Sequence, residues 1–214
     1  MPTLMYHHIE DLAKAKAEGH AFLAVSPDAF QRQMQYLKDS GYSVETMADL
    51  NAFFDSGTPL PKKSVLLTFD DGYDDFGSIA WPILQQFGFH ATLFAPTGLL
   101  ENPNYITWNT AKSFGSQVLV ANHTWSHRAM GASQNTDTKE ILTADTQLAD
   151  HGMNQPKVFS YPYGTQSPTA LKILLANNYT LAFTTQPGSV LCKQQRMNLP
   201  RRRIGNESLK GYGL

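Results

Sequence analysis

Short apolar runs alternate with amphipathic helical patterns along almost the whole chain. The segment 64–69, SVLLTF, is apolar almost throughout, as expected for a parallel strand covered on both faces. Strands that alternate with helices form βα units, and βα units build a parallel sheet. About seven strands of this kind predict an α/β fold, a distorted (β/α) barrel that forms a single domain over residues 1–214. The predicted strands cover 3–9, 64–69, 90–96, 116–122, 157–164, 179–185 and 199–204.

Two of the predicted helices begin with a serine followed by a proline. In segment 26–41, Ser26 suits the N-cap, Pro27 suits the first helical position and Gly41 suits the exit. Segment 50–64, by contrast, is the most loop-like part of the chain and predicts a surface connection. The other predicted helices cover 79–88, 138–152 and 167–178.

The composition is that of an ordinary folded domain and excludes several classes of protein. Of 214 residues, 42% are hydrophobic and 16% are charged, unlike a disordered chain, and the net charge of −1 gives no bulk attraction to nucleic acid. No apolar stretch approaches the roughly 18 residues of a membrane span. We therefore expect no nucleic-acid partner and no transmembrane segment, and the oligomeric state stays open.

The cellular compartment is left undecided by the sequence. The N-terminus shows no signal segment, and the only cysteine, Cys192, carries no information about redox conditions. We expect a cytoplasmic protein, or an extracellular or cell-envelope protein if a signal segment is missing from this chain.

Polar side chains follow the ends of several predicted strands. Asp70 and Asp71 come directly after segment 64–69, and His123 and His127 follow the strand two further along. In parallel α/β folds, functional residues gather at the carboxyl ends of the strands. The four-residue spacing of the histidines would place both rings on one side of a helical turn. We therefore expect acids and imidazoles to meet at one end of the barrel.

One carboxylate with two imidazoles is a three-ligand set that holds Zn²⁺ and leaves a position open for water. Such a cation lowers the pKa of water to roughly 7, and a second carboxylate beside it can act as a base. Asp-Asp-Gly also forms ordinary turns, so neither motif is specific alone. Together they favour a metal site in which one of Asp70 and Asp71 binds the metal and the other is the base. Asp74 and Asp75 are expected to be solvated or to cap the following helix.

Three segments in the same order carry a resemblance to a known family. TFDDGY, HTWSH and YPYG, at 68–73, 123–127 and 161–164, resemble the first three motifs of the polysaccharide deacetylases of the NodB-homology type, carbohydrate esterase family four. The resemblance extends over nearly the whole chain. It implies a distorted (β/α) barrel and the metal-dependent removal of N-acetyl groups from sugar polymers.

The resemblance also implies a role for each motif position. Asp70 would be the catalytic base, and the backbone N–H of Tyr163, beside the rigid Pro162, would donate to an oxyanion, an effect worth about 3 kcal/mol of barrier in comparable sites. Aromatic faces suit pyranose rings, so Tyr73 and Trp125 are expected to bind substrate together with Pro162, with core packing as the alternative for the aromatic rings. The implied ligands of a divalent metal, most simply Zn²⁺, are Asp71, His123 and His127.

Two positions depart from the family pattern. The family has an arginine two residues before the proline of its third motif, where it supports the catalytic aspartate, and this chain has Ser160 there. An arginine of the LPRRRI segment, 199–204, is the candidate replacement. The late Leu-x-x-His motif is also absent, because His151 is the last histidine. The general acid therefore has to come from elsewhere in the chain.

The N-terminal segment LMYHHI resembles that of a circularly permuted branch of the family. This branch includes deacetylases of biofilm polymers such as poly-β-1,6-N-acetylglucosamine, and it moves the acid histidine to the first strand. The pair Tyr6-His7 matches the branch, which makes His7 the expected acid. Neighbouring residues of a strand point to opposite faces, so His8 is expected to pack or to hydrogen-bond elsewhere. With the register changed by one residue, the two histidines would exchange roles.

The expected function is the hydrolysis of N-acetyl groups on a polysaccharide that contains N-acetylglucosamine, either the β-1,6-linked polymer or a related cell-envelope polymer. One alternative is a catalytically silent carbohydrate-binding homologue, which the departure at Ser160 favours and the intact set of acids and histidines disfavours. The other alternative is a relative that acts on peptidoglycan or on a small cyclic amide.

Overall fold

Seven parallel strands close into a barrel in the computed structural model, which describes residues 1–214. The barrel contains β1 and β5 to β10, while β4 pairs with the start of β5, and β2 with β3 forms a separate two-stranded sheet. The strands are β1 Thr3–Tyr6, β2 His8–Ile9, β3 Ala24–Val25, β4 Ser43–Val44, β5 Ser64–Asp70, β6 Ala91–Ala95, β7 Val118–Asn122, β8 Val158–Ser160, β9 Leu181–Pro187 and β10 Leu199–Arg203.

The first strand closes the barrel by pairing with β10 on one side and β5 on the other. Met5 is in register with Arg203 of β10 and with Thr68 of β5. The remaining strands follow in chain order from β5 to β10, and every pairing is parallel. The predicted (β/α) barrel of about seven parallel strands is therefore confirmed.

Helices connect the strands, and their caps are those that the sequence indicates. Ser26 Oγ accepts a hydrogen bond from the Ala29 amide at 3.2 Å, and Ser167 Oγ accepts one from Ala170 at 2.9 Å. The helices are α1 Leu12–Ala17, α2 Pro27–Asp39, α3 Met47–Ser56, α4 Trp81–Phe87, α5 Trp108–Ser113, α6 Gln134–Asp150 and α7 Pro168–Ala176. None of them combines the length and apolar character needed to span a membrane.

The predicted surface connection at 50–64 is wrong over its first half, which belongs to α3. Thr46 and Asp49 form a reciprocal capping box at its start. Met47, Leu50 and Phe54 share one face of the helix and are buried. The glycine and prolines that suggest a loop lie only after the helix has ended at Ser56.

Apolar side chains fill the bottom of the barrel and leave polar ones at its mouth. Leu66 and Leu199 belong to a buried apolar cluster inside the barrel. Because side chains alternate along a strand, Thr68 and Asp70 follow Leu66 on the same face of β5, and Arg201 follows Leu199 on β10. Hydrogen bonds from Arg201 to Thr68 and to Asp70 confirm that these side chains share the interior.

Candidate active site

The three predicted ligand side chains meet at the mouth of the barrel. Asp71 Oδ1 lies 3.3 Å from His123 Nε2 and 3.1 Å from His127 Nε2. Asp71 and His123 are buried, and His127 is half-buried. Ligands that bind Zn²⁺ tetrahedrally at about 2.0–2.1 Å lie roughly 3.3 Å apart. The two distances from Asp71 Oδ1 are therefore those expected between ligands of one tetrahedral cation.

Loops rather than a helical turn bring these ligands together. The expectation that His123 and His127 lie on a helical turn is wrong, because the segment after β7 is irregular and contains residues with positive φ. Thr124 has φ 71° and His127 has φ 58°, while Asp71, directly after β5, has φ 76°. Left-handed conformations are unfavourable for residues other than glycine and occur where the surrounding structure holds them, often at functional sites.

The hydrogen bond of His123 to the backbone leaves its second ring nitrogen available as a metal ligand. His123 Nδ1 donates a hydrogen bond to the carbonyl oxygen of Ser160 at 2.7 Å, since a carbonyl can only accept. In the neutral imidazole, Nε2 is then an acceptor that faces the acceptor oxygen of Asp71. Metal-binding histidines commonly donate their second N–H to a backbone carbonyl in this way. The residues therefore fit a divalent metal.

The electrostatics of the same residues favour the ionised carboxylate. Burial raises the pKa of Asp71, but the neighbouring imidazoles of His123 and His127 outweigh it, so this pKa lies well below its usual range. Burial lowers the pKa of His123, but the Asp71 and Asp70 carboxylates outweigh that effect and raise it. The Asp71 carboxylate is thus kept negatively charged beside the ring nitrogens of His123 and His127.

Asp70 is held by a buried arginine from β10. Arg201 Nη1 donates to Asp70 Oδ1 at 2.7 Å, and Nη2 donates to Oδ2 at 2.6 Å. Burial raises the pKa of Asp70, but the charges of Arg201 and His123 outweigh it and lower the pKa. Arg201 Nε also donates to the Thr184 carbonyl at 3.0 Å, which fixes the guanidinium plane. Asp70 is therefore an oriented, ionised carboxylate.

Arg201 takes the place of the arginine that the third motif lacks. Ser160 Oγ accepts a hydrogen bond from Arg201 Nη2 at 2.8 Å and lies 3.4 Å from Asp70 Oδ2. The prediction that an arginine of the LPRRRI segment supports the aspartate is confirmed for Arg201. Strand alternation separates Arg201 and Arg203 from Arg202 in the sequence, but it does not distinguish Arg201 from Arg203.

His7 lies immediately after β1, beside Asp70. The pairing of Tyr6 with Phe69 brings the residues that follow these two, His7 and Asp70, next to each other. His7 is 8% exposed, and burial is the main reason that its pKa is lowered to about 4, against the opposing effect of Asp70 and Asp71. The predicted single strand over 3–9 is wrong at this point, because the barrel strand ends at Tyr6 and His7 lies in the break before β2.

His8 occupies a different environment from His7. Its Nδ1 donates to Asp75 Oδ2 at 2.5 Å, and its ring stacks on Tyr73 with centroids 3.6 Å apart. Asp75 also accepts a hydrogen bond from the backbone of Ile9 and is 6% exposed. The expectation that Asp75 is solvated or caps a helix is therefore wrong, because it is a buried acceptor for the β2 segment.

A tight turn presents Tyr163 at the rim of the site. Tyr163 has φ 59°, its side chain is 68% exposed, and its ring centroid lies 4.7 Å from that of His127. The flanking amides bond within the turn, Gly164 N–H to the Tyr161 carbonyl and Thr165 N–H to that of Pro162. The Tyr163 N–H has no acceptor within the chain. This amide is therefore free to donate, and its donation to an oxyanion, which the family resemblance implies, stays a prediction.

The three residues expected to bind substrate lie around this mouth but differ in how much of each side chain is exposed. Tyr73 is half-buried, and one face of its ring is covered by His8. Trp125 is half-buried beside Gly98, with Lys139 Nζ 4.7 Å from its ring centroid. Pro162 is buried beneath the turn. Their contacts with a sugar remain predictions.

Comparisons with known proteins agree with this geometry. Residues 57–182 match the family model described as polysaccharide deacetylase. The deacetylase PplD of Streptococcus pyogenes, solved in complex with acetate, is 30% identical with a TM-score of 0.90, over 99% of this chain and 96% of that one. IcaB from Ammonifex degensii shares the fold, with 22% identity and a TM-score of 0.82 over 95% of this chain and 91% of that one.

A curated relative is considerably longer than this chain. The poly-β-1,6-N-acetyl-D-glucosamine N-deacetylase of Escherichia coli K12 is 27% identical over 98% of this chain, but the match covers 37% of that protein. The chain thus spans little more than a third of that relative's length. The family model nevertheless covers more than half of the chain, and PplD matches almost all of it. The chain belongs to the polysaccharide deacetylase family.

Proposed function

We propose that this chain is a metal-dependent N-deacetylase that hydrolyses the acetamide groups of a polysaccharide containing N-acetylglucosamine, with a β-1,6-linked polymer as its substrate. The observation that carries the proposal is the convergence at one barrel mouth of a three-ligand cluster, an oriented carboxylate and a buried imidazole. The longer E. coli relative, named for the β-1,6-linked polymer, supports the choice of linkage.

Asp71, His123 and His127 would hold the metal. A divalent cation there supplies Lewis acidity toward water and toward the acetamide carbonyl. Asp70 is the base for the attacking water, because Arg201 holds both of its oxygens and keeps it ionised. The free amide of Tyr163 donates to the oxygen that becomes negative as the carbonyl carbon turns tetrahedral.

His7 delivers a proton to the departing amine. An amide anion is a very poor leaving group, so the nitrogen has to be protonated as the C–N bond breaks. The pKa of His7, lowered to about 4, makes the imidazole neutral at pH 7 before the substrate binds. The proton count closes without the solvent, because water releases one proton to Asp70, Asp70 passes it to the neutral His7 beside it, and His7 gives it to the amine. The products are acetate and a free amine on the sugar.

Acetate release from defined oligosaccharides tests this function. The zinc-loaded chain is incubated with β-1,6-linked and β-1,4-linked N-acetylglucosamine oligomers and with peptidoglycan. We expect release from the β-1,6 oligomers, its loss with a chelator, and its restoration when Zn²⁺ is added back. Asp70→Asn should keep the metal and lose turnover, because Asp70 is not a ligand.

The alternatives give different results in the same assay. Binding of the oligomers without acetate release from any substrate would mean a silent carbohydrate-binding homologue. Faster release from peptidoglycan or from the β-1,4 oligomers would reject the proposed linkage while keeping the reaction.

A further inference from the structure

A second cluster of imidazoles and carboxylates lies behind the catalytic histidine. His8, Glu10 and His20 each offer one donor atom, and these atoms lie within 4.8 Å of one another. Glu10 is 3% exposed, and its Oε1 accepts a hydrogen bond from His20 Nε2 at 2.5 Å. The His8 and His20 rings stack with centroids 4.4 Å apart. None of these residues belongs to the Asp71 cluster.

The cluster carries more negative charge than its neighbours neutralise. Glu10 and Asp75 are both buried, and Glu18 Oε2 lies 3.7 Å from His20 Nε2. Lys14 is the one lysine or arginine paired with the cluster, with Nζ 3.0 Å from Glu10 Oε2 on a largely exposed side chain. Buried carboxylates require a counter-charge or a metal. Glu18 is exposed to solvent, so one ammonium leaves one of the two buried carboxylates to be balanced.

The donor atoms form a set that a metal can use, held here as hydrogen-bonded pairs that would open to roughly 3.3 Å around a cation. Two imidazoles and a carboxylate are a set that binds zinc in known enzymes. His8 Nδ1 lies 2.5 Å from Asp75 Oδ2 and 3.7 Å from Glu10 Oε1. A neutral His8 ring has a single N–H, which can neutralise neither of these two carboxylates. Asp75 and Glu18 line the same cavity, of about 290 Å³, and add to its negative potential.

We infer that His8, Glu10 and His20 form a second divalent-cation site, with zinc as the cation that its donors favour. The site lies next to the reaction centre, because His8 follows His7 in the chain and stacks on Tyr73. A bound ion would hold the His8 and Tyr73 rings in place on this side of the mouth. The inference concerns binding and does not depend on the proposed reaction.

Zinc stoichiometry of the whole chain tests this inference. The protein is stripped with a chelator, titrated with Zn²⁺ by calorimetry, and its zinc content is then measured after desalting. We expect two zinc ions per chain in the parent and one in His20→Ala or Glu10→Gln. Asp71→Ala should also bind one, and Asp71→Ala with His20→Ala should bind none.

Controls separate loss of a site from loss of the fold. His151→Gln removes an imidazole that stacks on Trp108, away from both clusters, and should keep two ions. The circular dichroism of His20→Ala should match that of the parent, and its remaining ion should disappear when Asp71→Ala is added. Glu10→Gln, which keeps the side-chain shape, repeats the test should His20→Ala misfold.

Two outcomes would overturn the inference. The first is one zinc ion in the parent that is unaffected by His20→Ala and Glu10→Gln, which would mean that protonated imidazoles balance the carboxylates. The second is two ions that persist in both variants. A chain that binds two ions as expected but releases no acetate would refute the proposed reaction and leave the second site standing.

Discussion

The buried Asp70 carboxylate depends on a guanidinium from the last strand of the barrel. Arg201 is fully buried and donates to both Asp70 oxygens, while Ser160 accepts from the same guanidinium. Ser160 occupies the position at which the family has its arginine. Two positions on different strands therefore face one carboxylate, and either can in principle supply its positive partner.

Exchanging these two residues should test that geometry. Arg201→Ser leaves Asp70 as an unpaired buried charge and should lower the free energy of unfolding by about 3–5 kcal/mol. Adding Ser160→Arg should restore part of this stability and of the acetate release, because Ser160 lies within 3.4 Å of Asp70. Urea denaturation and turnover are the measurements. A double variant no better than Arg201→Ser would show that only β10 can present the guanidinium.

His7 should make the stability of the chain depend on pH. Burial lowers its folded pKa to about 4 from the usual value of 6.5, so between pH 6.5 and pH 4 the unfolded chain binds a proton that the folded chain does not. Stability should therefore fall as the pH drops from 6.5 to 4, by about 3 kcal/mol from this group. In His7→Gln this contribution should be absent.

The measurement is denaturation of metal-free parent and His7→Gln from pH 7 down to about pH 3. The variant should gain stability relative to the parent as the pH falls, and the difference should level off below pH 4. A constant difference across this range would show that His7 has the same pKa in the folded and unfolded chains.

At the scale of elements, the turn after β8 determines where the Tyr163 amide points. Gly164 has φ 72°, and a Cβ there would lie 2.2 Å from Thr185 Oγ1 and 2.9 Å from the Thr185 nitrogen of β9. Only glycine allows the turn to approach β9 this closely. The position of the Tyr163 donor is thus set by backbone packing rather than by its own side chain.

Gly164→Ala should therefore displace the donor without removing a ligand. Because loss of one oxyanion donor typically costs about 10²–10³ in turnover, we expect a kcat reduction of that order with the zinc content unchanged. Gly152→Ala is the matched control, since Gly152 has φ 71° but nothing within 4 Å of the added Cβ. If both variants lose the same activity, or neither loses any, the turn does not position the donor.

At the scale of the whole molecule, the site joins distant parts of the chain. The family model covers residues 57–182, which include Asp70, Asp71 and both histidines of the proposed metal site. His7 and Arg201 lie outside that range and arrive through β1 and β10, which pair with each other as the barrel closes. The site is therefore complete only when the barrel is closed.

Metal binding should stabilise the folded barrel, because only the folded chain brings its ligands together. His20→Ala leaves only the site formed by Asp71, His123 and His127. In this variant, Zn²⁺ at a thousandfold excess over its Kd should raise the free energy of unfolding by about 4 kcal/mol. At roughly 2–4 °C per kcal/mol for a domain of this size, Tm should rise by roughly 8–16 °C. Calorimetry with and without chelator measures the shift. Asp71→Ala in the same background should remove it, and a persistent shift would place the metal elsewhere.

Much of the site could be predicted from sequence because its signals are local. The apolar run of β5 followed by Asp70 and Asp71 identifies a buried strand and the acids at its carboxyl end. The paired histidines and the Tyr-Pro-Tyr-Gly turn each occupy a few consecutive residues. Local signals were misleading where backbone geometry overrides spacing, as at His127, whose position depends on left-handed residues rather than on a helical turn.

The sequence by itself determined the alternation of strands and helices, and hence the barrel, since hydrophobic periodicity and caps act within a few residues. It also placed the acids and imidazoles at strand ends. Only the tertiary structure selected Arg201 among three adjacent arginines, made Asp75 a buried acceptor, and joined His8, Glu10 and His20. These outcomes depend on strand pairing and burial. The strength of a charge pair depends on the distance between its groups and on how far they are removed from water, and a short stretch of sequence specifies neither.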